Sequence, residues 1–300
     1  MKDDLVLRDL MKVPIVREVR KIVITRELRA RFGQDFSVEV KKNQKYMTAY
    51  RFTYTSQGHA VVGYIVVPKK HTARAPTVVY NRGGSGEFGA IRIGWLFTGT
   101  IAALARAGYV VIASQYSGVA GGEGVDEMGG LDLHDVINLK KIIAGLSFCD
   151  TKKIGMYGFS RGGIMTYRTL QKTRWVRAAV VVSGPTDLFF QETYRPEMRK
   201  HFQKMFGGSR EEKKKRSVIY WYKEIPRAVP LLVLCGMADW RVDSREAFRF
   251  AEKAAGHFRD FKLIAYPRGT HALEEHETQV HQEIVNWFNT FLNGNKKKFD

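Results

Sequence analysis

No stretch of this 300-residue chain is long and apolar enough to cross a bilayer. The longest predominantly apolar run, residues 93–105, covers 13 positions and stops at Arg106, against the roughly 20 that a spanning helix needs. The first residues, MKDDLVLRDLMK, mix both charge signs and hold no apolar leader segment, so a cytoplasmic location is expected, with no membrane partner. Cysteine is scarce: Cys149 and Cys235 are the only two, and neither sits in a C-x-x-C. That excludes a disulfide framework and makes a pair of reduced, inert thiols the expected state. Acidic residues are in deficit, 30 Asp+Glu against 49 Lys+Arg, which gives a net charge of +19. An excess of that size invites a nucleic-acid partner. However, the basic clusters, within residues 2–31, 195–216 and 296–298, do not interleave aromatics in an RNP-like order, and no C-x₂₋₄-C zinc-finger spacing exists. Solvated surface, or steering of an anionic substrate, is the expected meaning of the charge.

What is present is an alternation of strand and helix patterns. TAYRFTYTS and HAVVGYIVVP, separated by Gln57-Gly58, read as a hairpin of alternating strands. The strand PTVVYN, a helical run ending ALARAG, and the strand YVVIASQ then form a strand-helix-strand unit. Within residues 131–146, Leu133, Val136, Ile137, Leu139, Ile142, Ile143 and Leu146 fall on one helical stripe. KIGMYGFS, VRAAVVVSG, PLLVLCG and DFKLIAYP supply further strands, and residues 280–292 form a last amphipathic helix. The fold class expected is α/β, a mostly parallel sheet covered by helices on both faces. Residues 1–45 read as a helical N-terminal extension, and 46–300 as the main domain. Within that domain, the polar, basic and aromatic stretch 184–227 reads as a small helical lid-like insertion.

Two glycine motifs compete for function. Gly84-Ser85-Gly86-Glu87-Phe88-Gly89, after a predicted strand, spells G-x-G-x-x-G, the turn of a dinucleotide site. Such a site also grips a ribose with an acidic side chain about 20 residues on, and no Asp or Glu lies between Glu87 and Glu123. No cofactor is therefore expected. Gly158-Phe159-Ser160-Arg161-Gly162 is a G-x-S-x-G between a predicted strand and a helix, the context of a nucleophile elbow.

An elbow serine needs a base and an acid on later loops. PLLVLC is followed by Asp239 and KLIAYP by His271. Asp239 is favoured over Asp243, which is placed to cap the helix that follows. His271 is favoured over His276, which is already near the last helix. The spelling between these histidines, H-A-L-E-E-H, matches no zinc motif, so no metal is expected. The oxyanion hole expected comprises the Arg161 N–H and a donor from the turn at Arg82 and Gly83.

These residues resemble the catalytic domain of the prolyl oligopeptidase family of serine peptidases, which includes dipeptidyl and acylaminoacyl peptidases. The resemblance runs from about residue 50 to residue 292 through ordered blocks. YTSQGHAVVGYIVVPK is similar to that domain's opening hairpin, YNRGGSGEFG to the turn usually spelled H-G-G-P, and YGFSRGGIMTY to the nucleophile block. LLVLCGMADWRV is similar to the acid block, YPRGTHAL to the histidine block, and GGSREEKKKRSVIYW to the segment before the acid strand. The resemblance implies an α/β-hydrolase fold and an enzyme that cleaves short peptides through an acyl-enzyme intermediate. Relatives carry an N-terminal β-propeller, which 45 residues cannot build, and have His or Tyr where Arg82 stands. Glu123, Asp126 and Glu127 are candidates to grip a substrate's amino terminus, with a solvated loop as the competing reading. A carboxylesterase on small acyl esters is the alternative function; a non-catalytic nucleotide- or nucleic-acid-binding protein is the remote one.

Overall fold

The hairpin forms because residues 47–68 alternate in burial up to Ser56, turn at two residues of positive φ, and return. Gln57 at 49° and Gly58 at 85° make the tight two-residue turn whose twist matches the strands, and Ser56 pairs with His59 across it. In this computed structural model, which describes residues 4–70 and 74–294, that hairpin is part of a nine-stranded sheet. Lys2, His71 and the basic tail 296–298 lie outside the described residues.

The strands are β1 (Val16–Lys21), β2 (Met47–Ser56), β3 (His59–Pro68), β4 (Ala75–Asn81), β5 (Val110–Ser114), β6 (Cys149–Phe159), β7 (Ala178–Val182), β8 (Leu231–Gly236) and β9 (Phe261–Tyr266). Their order is β1-β2-β3-β5-β4-β6-β7-β8-β9. The pairs from β1 to β5 along that order are antiparallel, and all pairs from β5 to β9 are parallel. Every residue of β5, β7 and β8 is buried, as continuous β-branched runs require when helices cover both faces.

One core packs the stripe of helix Leu133–Gly145 with Met165, Tyr167 and Leu170 of helix Arg161–Lys172 and Phe250 of helix Ser244–Ala254. The opposite core packs helix Gly99–Arg106 with Val280, Ile284, Phe288 and Leu292 of helix Glu277–Leu292. Val79 and Val78, consecutive on β4, face the first and second core respectively, the period of two that a central strand imposes.

Residues 16–21 depart from the helical reading of the N-terminal segment by forming β1 at the sheet's edge. Four of its six residues are charged, and only Val16 is buried. An edge strand solvated on one side carries little periodic signal; here the open edge of β2 supplies the hydrogen bonds that select an extended backbone. The stretch 184–227 holds helices Leu188–Tyr194, Met198–Phe206 and Arg210–Arg216. A small apolar cluster of its own roots it: Leu188 and Phe202 pack on Met128 and Ile164. Among the described residues no helix is long and apolar enough to cross a membrane.

Candidate active site

The parallel strands β4, β6, β8 and β9 all end on one side of the sheet, where loops of open α/β folds gather their functional groups. β6 runs into Ser160, whose φ of 52° and ψ of −125° lie outside the regions L-residues prefer, and helix Arg161–Lys172 begins at the next residue. The flanking glycines are steric necessities. A Cβ on Gly158 would stand 2.4 Å from the Gly162 carbonyl oxygen, and one on Gly162 would stand 2.1 Å from the Asn81 carbonyl oxygen. The Ser160 N–H donates to the Val182 carbonyl at 2.9 Å, so the strained turn is anchored to β7.

After β8, Asp239 is buried and its Oδ1 accepts the N–H groups of Arg241 and Val242 at 2.8 and 3.0 Å. Its Oδ2 lies 2.8 Å from His271 Nδ1, and His271 Nε2 lies 2.9 Å from Ser160 Oγ. The loops after β8 and β9 can approach so closely because Gly236 has no side chain; a Cβ there would come within 2.2 Å of the Gly269 carbonyl oxygen. The His271 ring is only 12% exposed and packs on Phe159, with 5.2 Å between ring centroids. A neutral imidazole with its Nδ1–H on Asp239 would present Nε2 to Ser160 as an acceptor.

The rival residues have other partners. Asp243 caps helix Ser244–Ala254 through the Arg245 N–H at 2.8 Å. His276 reaches the Pro267 carbonyl at 2.8 Å and packs at a tilt on the Tyr266 ring. Among the described residues no group of three His, Cys, Asp or Glu side chains could hold a metal ion. Cys149 and Cys235 are free and buried, and burial pushes their thiols up, to about 12 and about 11.

Gly83 packs against Ser160: a Cβ added to it would lie 3.1 Å from Ser160 Cβ. Its N–H and that of Arg161, the first residue of its helix, have no intramolecular acceptor among the described residues. The donor expected from the turn is a backbone N–H, and the Arg82 side chain is engaged elsewhere. Arg82 is 1% exposed, and its guanidinium donates to the carbonyls of Gln115 (2.7 Å), Gly83 (3.0 Å) and Gly86 (3.1 Å), with Phe88 and Gly84 at 3.4 and 3.5 Å. The glycine loop of residues 83–89 thus turns its carbonyls inward onto a cation. That polarity is the reverse of a phosphate cradle, which needs amide N–H groups turned inward.

Sequence reading also missed the neighbours of Arg161. Its side chain, 3% exposed, is ion-paired with Asp126 and, at 2.7 Å, with Asp132. Asp126 is therefore neither a solvated loop residue nor free to hold a substrate's amino group. Glu127 accepts the Leu131 N–H at 2.7 Å and Glu123 the Ala60 N–H at 2.8 Å, so both are engaged in holding their own loop. Both Arg161 and Arg82 lie over the Tyr116 ring, at 4.3 and 4.8 Å from its centroid.

Ser160 and His271 open onto a cavity of about 350 Å³, within the range of small-ligand sites. Phe88, Met198, Arg195, Arg241 and His201 line it, and among the described residues no Asp or Glu does. The Arg241 guanidinium lies over Trp240 and Phe88, at 4.8 and 5.8 Å from the ring centroids, with no ion pair among the described residues. Burial and the nearby Arg161 charge push the His201 imidazole down from its usual range, toward the neutral form.

The profile of the prolyl oligopeptidase family matches residues 95–295. An uncharacterized peptidase of Bacillus subtilis, YtmA, is 25% identical over 249 residues, 81% of this chain and 94% of that protein. Dipeptidyl aminopeptidase B of Saccharomyces cerevisiae is 26% identical over 179 residues, 58% of this chain but only 21% of the yeast protein. Among solved structures, the acylaminoacyl peptidase of Pyrococcus horikoshii superposes with a TM-score of 0.75 at 19% identity, over 90% of this chain and 46% of that one. This last likeness is one of fold, and the chain spans less than half of that enzyme. The chain belongs to the prolyl oligopeptidase family, and it is a serine hydrolase with an α/β-hydrolase fold.

Proposed function

We propose that this family member hydrolyses short peptides with Ser160 as nucleophile, His271 as general base and Asp239 as the group that orients the imidazole. The observation that carries the reading is the row of hydrogen bonds from Asp239 through His271 to Ser160, at 2.8 and 2.9 Å. As Ser160 Oγ attacks the scissile carbonyl, its proton passes to His271 Nε2, and buried Asp239 stabilises the imidazolium that results. The carbonyl oxygen becomes an oxyanion facing the N–H groups of Arg161 and Gly83. Collapse of the tetrahedral species expels the amine, which takes the proton from His271 and leaves an acyl-Ser160 ester. Water, deprotonated by the same imidazole, releases the acid and restores the hydroxyl.

The lining of the cavity favours one substrate type within the family. Arg195 and Arg241 border it with no carboxylate among the described residues, so a free ammonium on the acyl side would meet like charge and no anionic partner. A blocked or carboxylate-bearing acyl group meets no such penalty, which favours acylaminoacyl over dipeptidyl specificity. The insertion 184–227, which contributes Gln191, Arg195, Met198 and His201 to the lining, acts as the lid that shapes this preference. A cytoplasmic location suits a substrate pool of short peptides.

The same machinery would cleave an activated ester, so the test compares both bonds. Ala-Ala p-nitroanilide with a free, acetylated or succinylated amino terminus, and the corresponding p-nitrophenyl esters, are assayed side by side. The expected order in kcat/KM is succinyl at or above acetyl, with both exceeding the free amine by at least about tenfold, from one uncompensated charge contact. Preference for the free amine would overturn the acyl-side assignment. Turnover of esters with no measurable anilide cleavage would assign the chain to the carboxylesterases.

A further inference from the structure

The buried charges behind the nucleophile have no place in the mechanism above. Arg82, Arg161, Asp126 and Asp132 lie together beneath the glycine loop, two cations and two anions, each with a side chain almost wholly removed from water. Removing one member of such a set leaves an uncompensated buried charge, so the set acts as a unit. Its geometry is directional. Arg82 gathers the carbonyls of the loop that follows β4. The Tyr116 hydroxyl donates to the Arg82 carbonyl at 3.2 Å, immediately before Gly83. Asp132 holds Arg161 from the start of helix Leu133–Gly145, with its Oδ1 accepting the Gly129 N–H at 2.9 Å.

Asp126 is where these contacts converge. Its Oδ2 accepts the Gly86 N–H at 2.8 Å, inside the glycine loop. Its Oδ1 takes the Arg161 guanidinium and the Met128 N–H at 3.1 Å. One carboxylate therefore bridges the loop that carries Gly83 and the residue whose N–H opens the helix after Ser160. Those two N–H groups belong to separate chain segments, 78 residues apart in numbering (161 minus 83), and an oxyanion site needs both fixed to within a few tenths of an ångström.

We propose that Asp126 is a positioning residue for the oxyanion site, locking the Gly83 turn to Arg161 by holding Gly86 with one carboxylate oxygen and the Arg161 guanidinium with the other. The inference rests on the assignment of Ser160 as nucleophile and adds a residue that touches neither substrate nor Ser160. Its signature is a loss of transition-state stabilisation without a loss of substrate binding.

The experiment measures kcat and KM for the preferred anilide, and the inhibition constant of phenylboronic acid, which forms a tetrahedral adduct on the serine, for the native protein, Asp126→Ala and Asp126→Asn. Fluorophosphonate labelling of Ser160 and thermal melts accompany each. For Asp126→Ala, kcat is expected to fall by about 10²-fold, the scale of losing one oxyanion donor, with KM within about threefold and the boronate constant rising in step with the loss of kcat/KM. Asp126→Asn keeps an acceptor for Gly86 but presents no charge to Arg161, and a loss of about tenfold is expected. If Asp126→Ala does not fold, Asp126→Asn decides the matter. A kcat within threefold of native in the folded variant, a rise in KM alone, or unchanged boronate affinity would overturn the role of Asp126. A native protein that fails to label at Ser160 would instead overturn the nucleophile assignment, and this inference with it.

Discussion

Two glycine turns lie side by side at the ends of β4 and β6, and only one of them is held by a buried charge as well as by close packing. The elbow of residues 158–163 is held by exclusion: its glycines lie so close to neighbouring backbone that a single Cβ on Gly158 or Gly162 would fall within 2.4 Å of a carbonyl oxygen. The loop of residues 83–89 meets the same steric demand at Gly84 and Gly89, where a Cβ would stand 2.1 and 2.6 Å from the carbonyl oxygens of Phe88 and Gly83, and it is held besides by attraction, its carbonyls converging on the Arg82 guanidinium. The elbow should therefore be broken by adding a methyl group, and the loop by removing a charge as well.

The largest effect is expected at the elbow. Gly162→Ala forces the Asn81 carbonyl or the helix to move, and kcat/KM should drop by at least about 10²-fold, since small displacements of reacting groups act on that scale. Kinetics on the purified variant check this; near-native turnover would show that the turn has slack the structure does not suggest. Arg82→Met keeps the volume but orphans the loop carbonyls and unbalances Asp126 and Asp132. A destabilisation of about 3–5 kcal/mol is expected, in line with breaking other buried pairs, or a fall in Tm of roughly 6–15 °C. Gly86→Ala tests the same loop sterically: nothing lies within 4 Å of the added Cβ, so only the positive φ of 55° resists it. A loss of about 1–2 kcal/mol is expected, a few degrees in a melt.

A further effect concerns the pH dependence of stability. Burial pushes Asp132, on the loop's side, up to about 7 despite Arg161, and pushes Glu246, on helix Ser244–Ala254, up to about 8. With folded values above the unfolded carboxylate range, the native state holds protons that the unfolded chain has lost. The stability this contributes is fully present below about pH 4 and declines as pH rises through about 7 to 8. Melts at pH 5.5 and 8.5 should show the higher Tm at pH 5.5, and Asp132→Asn and Glu246→Gln should each flatten the slope.

The same contrast explains what was legible in the sequence. Steric demands leave marks on residue type at fixed spacing, so G-x-S-x-G between a strand and a helix, and the alternation of the Met47–Ser56 strand, can be read directly. The loops bearing Asp239 and His271 were legible because each follows a predominantly apolar strand run. Electrostatic demands leave no such spacing. Asp126 and Arg161 are 35 positions apart (161 minus 126) and meet only in the fold. Arg82 finds backbone carbonyls, which every residue has, so nothing in the loop's composition points to its role. β1 was missed for a related reason, because its extended backbone is selected by the open edge of β2 rather than by its own mostly charged residues.

The central claim is that Ser160 is activated by His271 and Asp239. The most direct measurement is labelling by a fluorophosphonate probe, with the adduct mapped by mass spectrometry, in the native protein, Ser160→Ala and His271→Ala. The account predicts one adduct per chain, on Ser160, absent from Ser160→Ala and formed far more slowly in His271→Ala. Absence of an adduct in folded native protein, or labelling at another residue that survives Ser160→Ala, would contradict it.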